Sequence, residues 1–574
     1  MRAIATRVEQ ENPSSRAGWS NGLVPLREYI VESQLSVALY VLLAAVAAVL
    51  LIACANLANL TLVRGAGRTR EMGVRMAVGA SRAQLIRQLA IESAVLGIVG
   101  SGIGVLLASA AVPALAALVP PGTPFISHVA IDLRVLATTA LLTLAAIVCV
   151  GVLPALTTSR VDTTRALKEG GRGTTQARRT AAVRSVLVVA EISLAVVLLV
   201  AAGLLVRSLN QVTRTAPGAD VDRVLSARIG VPGSRYTFPQ RLEFFETLVS
   251  QLQASPGVES AAITSYLPVG GGGFGLGRVF LFEGQPEPPA SADVPAQWMV
   301  VSSHYFRTLG IPLVSGRAFD ERDGAKTTPV MIASESFARK MFPNQDPIGR
   351  RVRSWRDENV YRQIVGVVRD VAVESLTDQG RAIVYVPHAQ QGWGGMTIAI
   401  RAAAAGSPEQ LTSTLRRVVR GLDPELPLAN IGTMEVFARE SIARERLSAS
   451  LMTVLAGLAL TLAVIGIYGI MSYSVNMRRQ ELGVRLALGA SPRALYRLVL
   501  GHGIALTAAG LLLGLAGAIA ASRALQTLLY QTDPFDPVAF GGMTAILAAT
   551  AFVACLLPAR RAAQADPLVA LRSE

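Results

Sequence analysis

The sequence is poor in the residues from which catalytic and metal sites are usually built. Its 574 residues include only four histidines and three cysteines. No P-loop pattern, zinc-protease His-Glu-x-x-His, Cys-x-x-Cys pair or GxSxG nucleophile elbow occurs in it. We therefore expect no catalytic residue, no metal site and no bound cofactor in this chain.

Charged and aromatic residues are also scarce, at 16% and 5%, whereas 51% of the residues are apolar. This composition argues against a soluble enzyme and indicates a membrane protein. A membrane-spanning helix needs ~20 mostly apolar residues. Seven segments meet that requirement: Ser33–Val63, Ser93–Ala130, Val135–Ser159, Ser185–Val206, Leu447–Met477, Leu498–Ser522 and Pro537–Ala559. All three cysteines, Cys54, Cys149 and Cys555, lie within these segments.

The net charge of +15 is concentrated in four short segments between or after the apolar ones. Arg64–Gln88, Thr158–Arg184, Val475–Arg497 and Arg560–Glu574 hold 6, 7, 5 and 3 basic residues. Because short basic loops stay in the cytoplasm, the N-terminus is expected outside, the C-terminus inside and residues 208–446 outside. Charge divided among loops in this way does not favour nucleic-acid binding.

One short sequence occurs twice, 410 residues apart. Glu71–Ser81 reads EMGVRMAVGAS, and Glu481–Ser491 reads ELGVRLALGAS. The residues that we single out in this repeat are Glu71, Gly73, Arg75, Gly79 and Ser81 in the first copy and Glu481, Gly483, Arg485, Gly489 and Ser491 in the second.

Local chemistry predicts how each repeated loop folds. Ser81 with Gln84 can form a capping box, and Ser491 precedes Pro492 as an N-cap precedes an N1 proline. The Glu and Arg of each copy are four residues apart and can pair on one helical face. One interpretation is that the arginines bind membrane lipid headgroups. The other, which also explains the repeated Gly, Ala and Ser, is a docking surface for a cytoplasmic subunit.

The repeat extends over a three-span unit, so we divide the chain into residues 35–169 and 447–574 as the two copies. Residues 170–207 form a cytoplasmic linker and the fourth span, residues 208–446 form an outer domain, and residues 1–34 form a remnant before the first span. Measured against the second copy, the first is expected to lack an initial span and an outer domain. Paired glycines recur in both copies and predict close helix packing: Gly100, Gly104, Gly510 and Gly514.

The outer region alternates β-type runs with amphipathic helical patterns, which predicts a mixed α+β domain. Predicted strands are Arg223–Gly230, Val258–Ser265, Val279–Phe282, Gln297–Val301, Val330–Ile332, Tyr361–Val368, Ala382–Val386 and Met396–Arg401. Predicted helices are Pro239–Ala254, Glu335–Met341 and Glu409–Leu422. Gly270–Gly273 is predicted to be a flexible loop.

The motif E-x-G-V-R-x-A-x-G-A-S between spans resembles the coupling loop of MacB/FtsX-type ABC transporter permeases. The outer region is similar to their periplasmic core domain, on the strength of several short segments. These are Tyr305-Phe306-x-x-Leu309-Gly310, Gly316-Arg317-x-Phe319, Asp346-Pro347-x-Gly349 and Ile364–Val368. The duplication resembles that of the large permeases abundant in acidobacteria, with the first span and first periplasmic domain missing.

The resemblance implies a multi-pass protein of the bacterial inner membrane: a helical bundle of about seven spans with one extracytoplasmic α+β domain. It also implies a separate MacB-type cytoplasmic ATPase that binds ATP and docks on the two loops, and it leaves room for a periplasmic adaptor or envelope protein. Export is the expected function. The alternatives are an FtsX-like assembly that regulates a cell-envelope hydrolase, and a truncated, non-functional permease.

Three ionisable residues, Glu92, Glu191 and His502, fall within predicted spans. Such residues are functional candidates by default, and a proton relay is one interpretation. All three are expected near the basic cytoplasmic edge, however. There a Glu can pair with a loop arginine or reach the headgroups, and this structural role is the one that we favour.

Overall fold

The structure is a computed structural model, and it divides the chain into two compact units, which are described separately. One unit comprises Met1–Leu26 and Val212–Ala443, and the other Arg27–Gln211 and Arg444–Glu574. The structure describes residues 33–67, 81–116, 131–148, 175–270, 272–273, 276–283, 296–354, 360–378, 380–404, 406–477, 488 and 491–563, besides residues 6–7, 10 and 25.

The second unit is built from long apolar helices. They are α1 (Ser33–Gly67), α2 (Arg82–Ala116), α3 (Leu133–Ile147), α4 (Thr175–Arg214), α10 (Ala443–Met477), α11 (Pro492–Leu525) and α12 (Pro537–Ala563). Within the described residues, six of these are long and apolar enough to cross a membrane. The described part of α3 is shorter, and the second half of the span predicted there lies outside the described residues.

The starts of two of these helices follow from their capping residues. Asp132 accepts a hydrogen bond from the backbone N–H of Val135 at 2.9 Å, which caps α3. Asp536 accepts from the N–H groups of Val538 and Ala539 at 3.0 and 2.9 Å. It precedes Pro537, a proline that is preorganised for the first helical position of α12.

The other unit is an α+β domain around a mixed sheet. Its helices are α5 (Phe238–Gln253), α6 (Tyr305–Thr308), α7 (Glu335–Met341), α8 (Leu411–Leu422) and α9 (Met434–Ser441). Its strands are β1 (Val224–Gly230), β2 (Val258–Thr264), β3 (Tyr266–Leu267), β4 (Gly272–Gly273), β5 (Leu276–Arg278), β6 (Phe280–Phe282), β7 (Ala296–Val301), β8 (Leu313–Gly316), β9 (Val330–Ser334), β10 (Arg351–Ser354), β11 (Arg362–Val368), β12 (Ile383–Pro387), β13 (Gly395–Ala402) and β14 (Leu428–Thr433).

The main sheet has the order β14-β1-β13-β2-β7-β12-β9-β11-β10-β6, with β5 also paired to β7 and β8 to β11. The pairs β11–β9 and β12–β7 are parallel. Strand β7 is buried along its whole length. Its alternating side chains explain this: Trp298 packs in the core cluster on one face, and Met299 packs in the cluster on the other. The sheet is therefore covered on both faces.

The strands and helices predicted in the outer region all occur, with ends shifted by at most two residues. Two corrections are needed. Gly272–Gly273 of the predicted flexible loop is strand β4, which pairs with Tyr266–Leu267. In addition, the strands β3, β4, β5, β8, β10 and β14 and the helices α6 and α9 were not predicted from the sequence.

Candidate functional site: a buried polar cluster in the helical bundle

The repeated loops are represented in the structure by the residues at their C-terminal ends. Glu71, Gly73, Arg75 and Gly79 lie outside the described residues, as do Glu481, Gly483, Arg485 and Gly489. Their arrangement therefore stays a prediction.

Ser81 begins α2 with the reciprocal bonds of a capping box. The Ser81 N–H donates to Gln84 Oε1 at 2.9 Å, and the Gln84 N–H donates to Ser81 Oγ at 3.3 Å. In the second copy Ser491 is the N-cap of α11, with Pro492 in the first helical turn and no side-chain cap hydrogen bond. Both copies thus start a helix at the same point after the repeat.

Glu191 lies inside the helical bundle. Its side chain belongs to α4 and is 1% exposed. Neither carboxylate oxygen has a hydrogen-bond partner among the described residues. Arg184 is seven residues earlier on α4, about 10 Å along the helix axis, and its guanidinium stacks over the ring of Tyr473 at 4.4 Å.

Two other helices meet α4 at this carboxylate. A Cβ atom placed on Gly466 of α10 would overlap Glu191 Oε2 and would lie 2.6 Å from Asn56 Oδ1 of α1. Any side chain at position 466 would therefore force these two buried oxygens to move. Asn56 and Asn59, one turn apart on α1, are also buried. These residues form what we call the polar cluster: Asn56, Asn59, Glu191 and Gly466.

The electrostatics of the polar cluster favour a neutral carboxyl. An ionised carboxylate without a partner in the hydrocarbon region costs about 3 kcal/mol or more. Among the described residues, no arginine donates to the Glu191 carboxylate. Glu191 is enclosed by helices instead.

The side chains of the other two ionisable residues of the predicted spans, Glu92 and His502, are exposed. Glu92 is exposed and accepts a hydrogen bond from Gln88 Nε2 at 3.4 Å, one turn earlier on α2. His502, at the matching position of α11, is also exposed. The structure therefore does not bring Glu92, Glu191 and His502 into one chain of proton carriers.

The glycine pair Gly510 and Gly514 packs against another helix, whereas the pair Gly100 and Gly104 has no described neighbour this close. A Cβ on Gly510 would lie 2.5 Å from Ile192 Cγ2, and one on Gly514 would lie 2.7 Å from Val196 Cβ, so α11 and α4 touch closely there. Ser193 Oγ also donates to the Gly510 carbonyl at 3.1 Å. Around Gly100 and Gly104, no described atom lies within 4 Å of the added Cβ.

Asn56 and Asn59 were missed by the sequence reading, although a signal was present. Asn56 and Gly466 are separated by the same 410 residues as the repeated loops, as are Asn59 and Gly469. An Asn-x-x-Asn in one copy thus replaces a Gly-x-x-Gly in the other. Asparagines at this spacing on an otherwise apolar span lie on one face of the helix.

The outer domain contains a buried histidine, His388, whose pKa is strongly lowered. His388 is buried, and its ring contacts that of Phe245 edge-on, with 5.2 Å between ring centroids. Its Nε2 has no hydrogen-bond partner among the described residues. Burial lowers the pKa of His388 to about 4, against a weaker opposing effect of its hydrogen bond to the backbone of Trp393. This histidine is therefore neutral at ordinary pH.

Two protein families match different parts of the chain. Residues 43–163 and 453–567 match the family described as FtsX-like permease C-terminal. Residues 185–418 match the MacB-like periplasmic core domain. The two FtsX-like matches contain the two copies of the repeated loop, and the MacB-like match contains every strand of the outer domain except β14.

Curated relatives match at moderate identity. The macrolide export ATP-binding/permease protein MacB of Azoarcus sp. is 28% identical over 277 residues, which is 46% of this chain and 40% of that protein. The pyoverdine export ATP-binding/permease protein PvdT of Pseudomonas putida is 30% identical over 276 residues, or 46% and 41%. The chain thus spans less than half the length of these relatives.

Among solved structures, the periplasmic region of MacB from Actinobacillus actinomycetemcomitans matches with a TM-score of 0.28 and 15% identity. The match covers 39% of this chain and 95% of that one. The family matches, the relatives and the apolar helices agree on one assignment. The chain is a multi-pass membrane protein that belongs to the MacB/FtsX-type ABC transporter permeases.

Proposed function

We propose that this chain is the transmembrane subunit of an exporter, driven by a separate cytoplasmic ATPase of the MacB type. The observation that carries the proposal is the duplicated loop, because each copy lies within a match to the FtsX-like permease family. The chain has no P-loop of its own. ATP would therefore be bound and hydrolysed by the partner, and the motion of the partner would be passed through the loops to the helices.

Export is the direction that the relatives favour, since their names specify export of macrolides and of pyoverdine. In our proposal the outer domain moves in response to ATP hydrolysis. The N-terminus and the domain of residues 208–446 lie outside the cytoplasm, and the C-terminus lies inside it. This orientation follows from the basic loops. A membrane-impermeant thiol reagent should label a cysteine introduced at Ser255 in intact spheroplasts and should not label one introduced at Ser573.

The docking role is tested by reversing two charges. Arg75 and Arg485 are both replaced by Glu, and the chain is co-purified with candidate ATPases. Because two cationic contacts to the partner become repulsive, we expect affinity and stimulated ATP hydrolysis to fall by about tenfold or more.

The matched control replaces Arg134 and Arg523 by Glu, which changes the net charge equally in the short loops expected on the other side of the membrane. This control should bind and stimulate the ATPase like the unaltered chain. Association that survives the Arg75 and Arg485 double replacement would contradict the docking role. A role in regulating envelope hydrolases would show instead as altered cell-wall turnover, with unchanged solute export, when the gene is deleted.

A further inference from the structure

We propose that Glu191 is a proton-binding residue inside the helical bundle, and that its protonated carboxyl donates a hydrogen bond to Oδ1 of Asn56. The ligand of this site is a single proton, taken up from water by the carboxylate and released to water when the hydrogen bond breaks. What is proposed is the protonation of one carboxyl group within the bundle. It does not depend on which ATPase or solute the permease serves.

The Asn56 amide has a fixed orientation. Its Nδ2 donates to the backbone carbonyl of Leu462 on α10 at 2.7 Å. A carbonyl oxygen can only accept, so this bond fixes which end of the amide is nitrogen. The opposite end, Oδ1, is thereby directed toward Gly466 and the Glu191 carboxylate.

Glu191 and Asn56 bring two hydrogen-bond acceptors together without a donor. Glu191 Oε2 and Asn56 Oδ1 crowd the same point, the position that a Gly466 Cβ would occupy. Both atoms are acceptors, and no described group donates to either carboxylate oxygen. Two buried acceptors side by side repel unless a hydrogen lies between them. A protonated carboxyl supplies that hydrogen.

The nearest described cations on α4 and α12 contact aromatic side chains. On α4, the Arg184 guanidinium stacks on Tyr473 of α10. On α10, the hydroxyl of Tyr468 accepts from Arg561 of α12 at 2.8 Å.

The remaining elements of the unit offer no described cation toward the carboxylate. Helix α1 presents Asn56 and Asn59 and, half-buried, the Cys54 thiol. Helix α11 meets α4 through Gly510 and Gly514, and its His502 is exposed. Helix α12 buries Cys555 beside Gly503. A proton is thus the simplest way for Glu191 to be neutral in this packing.

The full chain in lipid nanodiscs provides the test. Infrared spectroscopy at neutral pH should show a protonated carboxyl C=O band that disappears in Glu191→Gln. The control is Glu92→Gln, which removes an exposed glutamate of α2 and should leave the band intact. Absence of the band in the unaltered chain, or its persistence in Glu191→Gln, would overturn the proposal.

A second measurement follows the stability of the bundle as pH rises. The protonated form makes the hydrogen bond, and an unfolded glutamate ionises at an ordinary pKa of about 4.3. Between that pH and the titration midpoint of the folded bundle, the unfolding equilibrium should therefore shift toward the unfolded state by about tenfold per pH unit, and it should level off above the midpoint. Glu191→Gln keeps an N–H donor in the same place and should fold normally without this pH dependence. If the variant and the unaltered chain lose stability in parallel, Glu191 does not bind the proton.

Discussion

Asn56 of α1 and Gly466 of α10 face each other inside the bundle, with Asn56 Oδ1 2.6 Å from the site of a Gly466 Cβ. They are equivalent residues of the two copies, since 410 positions separate them as they separate the repeated loops. In a dimer with two-fold symmetry, equivalent residues of the two subunits meet at the symmetry axis. The contact of α1 with α10 at Asn56 and Gly466 has this character.

Replacing Gly466 by Ala should destabilise the bundle. The new methyl group would overlap Glu191 Oε2 and approach Asn56 Oδ1, and buried oxygens cannot simply move into solvent. Overpacking of this kind costs about 1–3 kcal/mol. Thermal unfolding of the full chain in nanodiscs measures the effect.

Gly469→Ala is the matched control, because it makes the same change one turn later on α10, where nothing described lies within 4 Å of the added Cβ. That variant should be neutral, or more stable by up to about 1 kcal/mol. Equal behaviour of the two variants would show that the oxygens do not crowd Gly466.

The two pairs of glycines should respond differently to alanine. Gly514→Ala would bring a methyl group 2.9 Å from the Ser193 carbonyl of α4, a backbone atom that cannot rotate away. We expect the pair Gly510→Ala and Gly514→Ala to lower the melting temperature. The pair Gly100→Ala and Gly104→Ala meets no described atom and serves as comparison. A larger loss from the Gly100 and Gly104 pair would indicate a packing surface that these contacts do not account for.

Acid should destabilise the outer domain through His388. Its pKa is about 4 in the folded domain, below the ordinary value of 6.5, so the unfolded chain binds the proton first as pH falls. The stabilisation is complete above pH 6.5 and is lost progressively toward pH 4, by about 3 kcal/mol at most. Denaturant unfolding of the full chain at several pH values measures it, and His388→Gln should flatten this part of the profile. A profile that keeps its full slope without His388 would assign the effect to other groups.

Asp536 should contribute to stability in two separable ways. It caps α12, and its Oδ2 pairs with Arg207 Nε of α4 at 2.9 Å. Asp536→Ala removes both interactions and should cost about 1–2 kcal/mol. Asp536→Asn keeps the cap and removes the ion pair, which involves a half-exposed arginine and should contribute less than about 1 kcal/mol. Thermal unfolding of both variants distinguishes them, and an Asn variant as unstable as the Ala variant would assign the effect to the ion pair.

Much of the outer domain could be predicted because its strands carry strong local signals. The apolar run around Trp298 specifies a strand buried on both faces, and its observed start is within one residue of the prediction. Strand β8 could not be found this way, because its four residues are all exposed and it is held only by pairing with β11. Strand β10 alternates arginine with Val352 and Ser354 over just four residues, too short for a period to be evident.

The surroundings of Glu191 in the polar cluster could not be predicted from the sequence. The presence of Glu191 on an apolar span is obvious from the sequence, but its environment depends on which helices surround it. From the sequence around it, we predicted that Glu191 lies near the cytoplasmic edge of the membrane, where a loop arginine can reach it. Only the packing of α1 and α10 against α4 reveals that an asparagine and a glycine occupy that space. Helix neighbours are a tertiary property, which no periodicity of one segment encodes.

The covalent duplication has a consequence for the number of buried carboxyl groups. A homodimer in which each subunit contained α4 and the second copy would carry a glutamate at position 191 in each subunit, and so two carboxyls beside one axis. Here α1 presents asparagine where α10 presents glycine, so the two sides of the polar cluster differ, and Glu191 is its one carboxyl group. Gene duplication followed by divergence allows the two-copy bundle to hold an odd number of buried carboxyl groups at this site. Any titration of this site would then be a one-proton event, free of the mutual repulsion that splits the titration of paired acids.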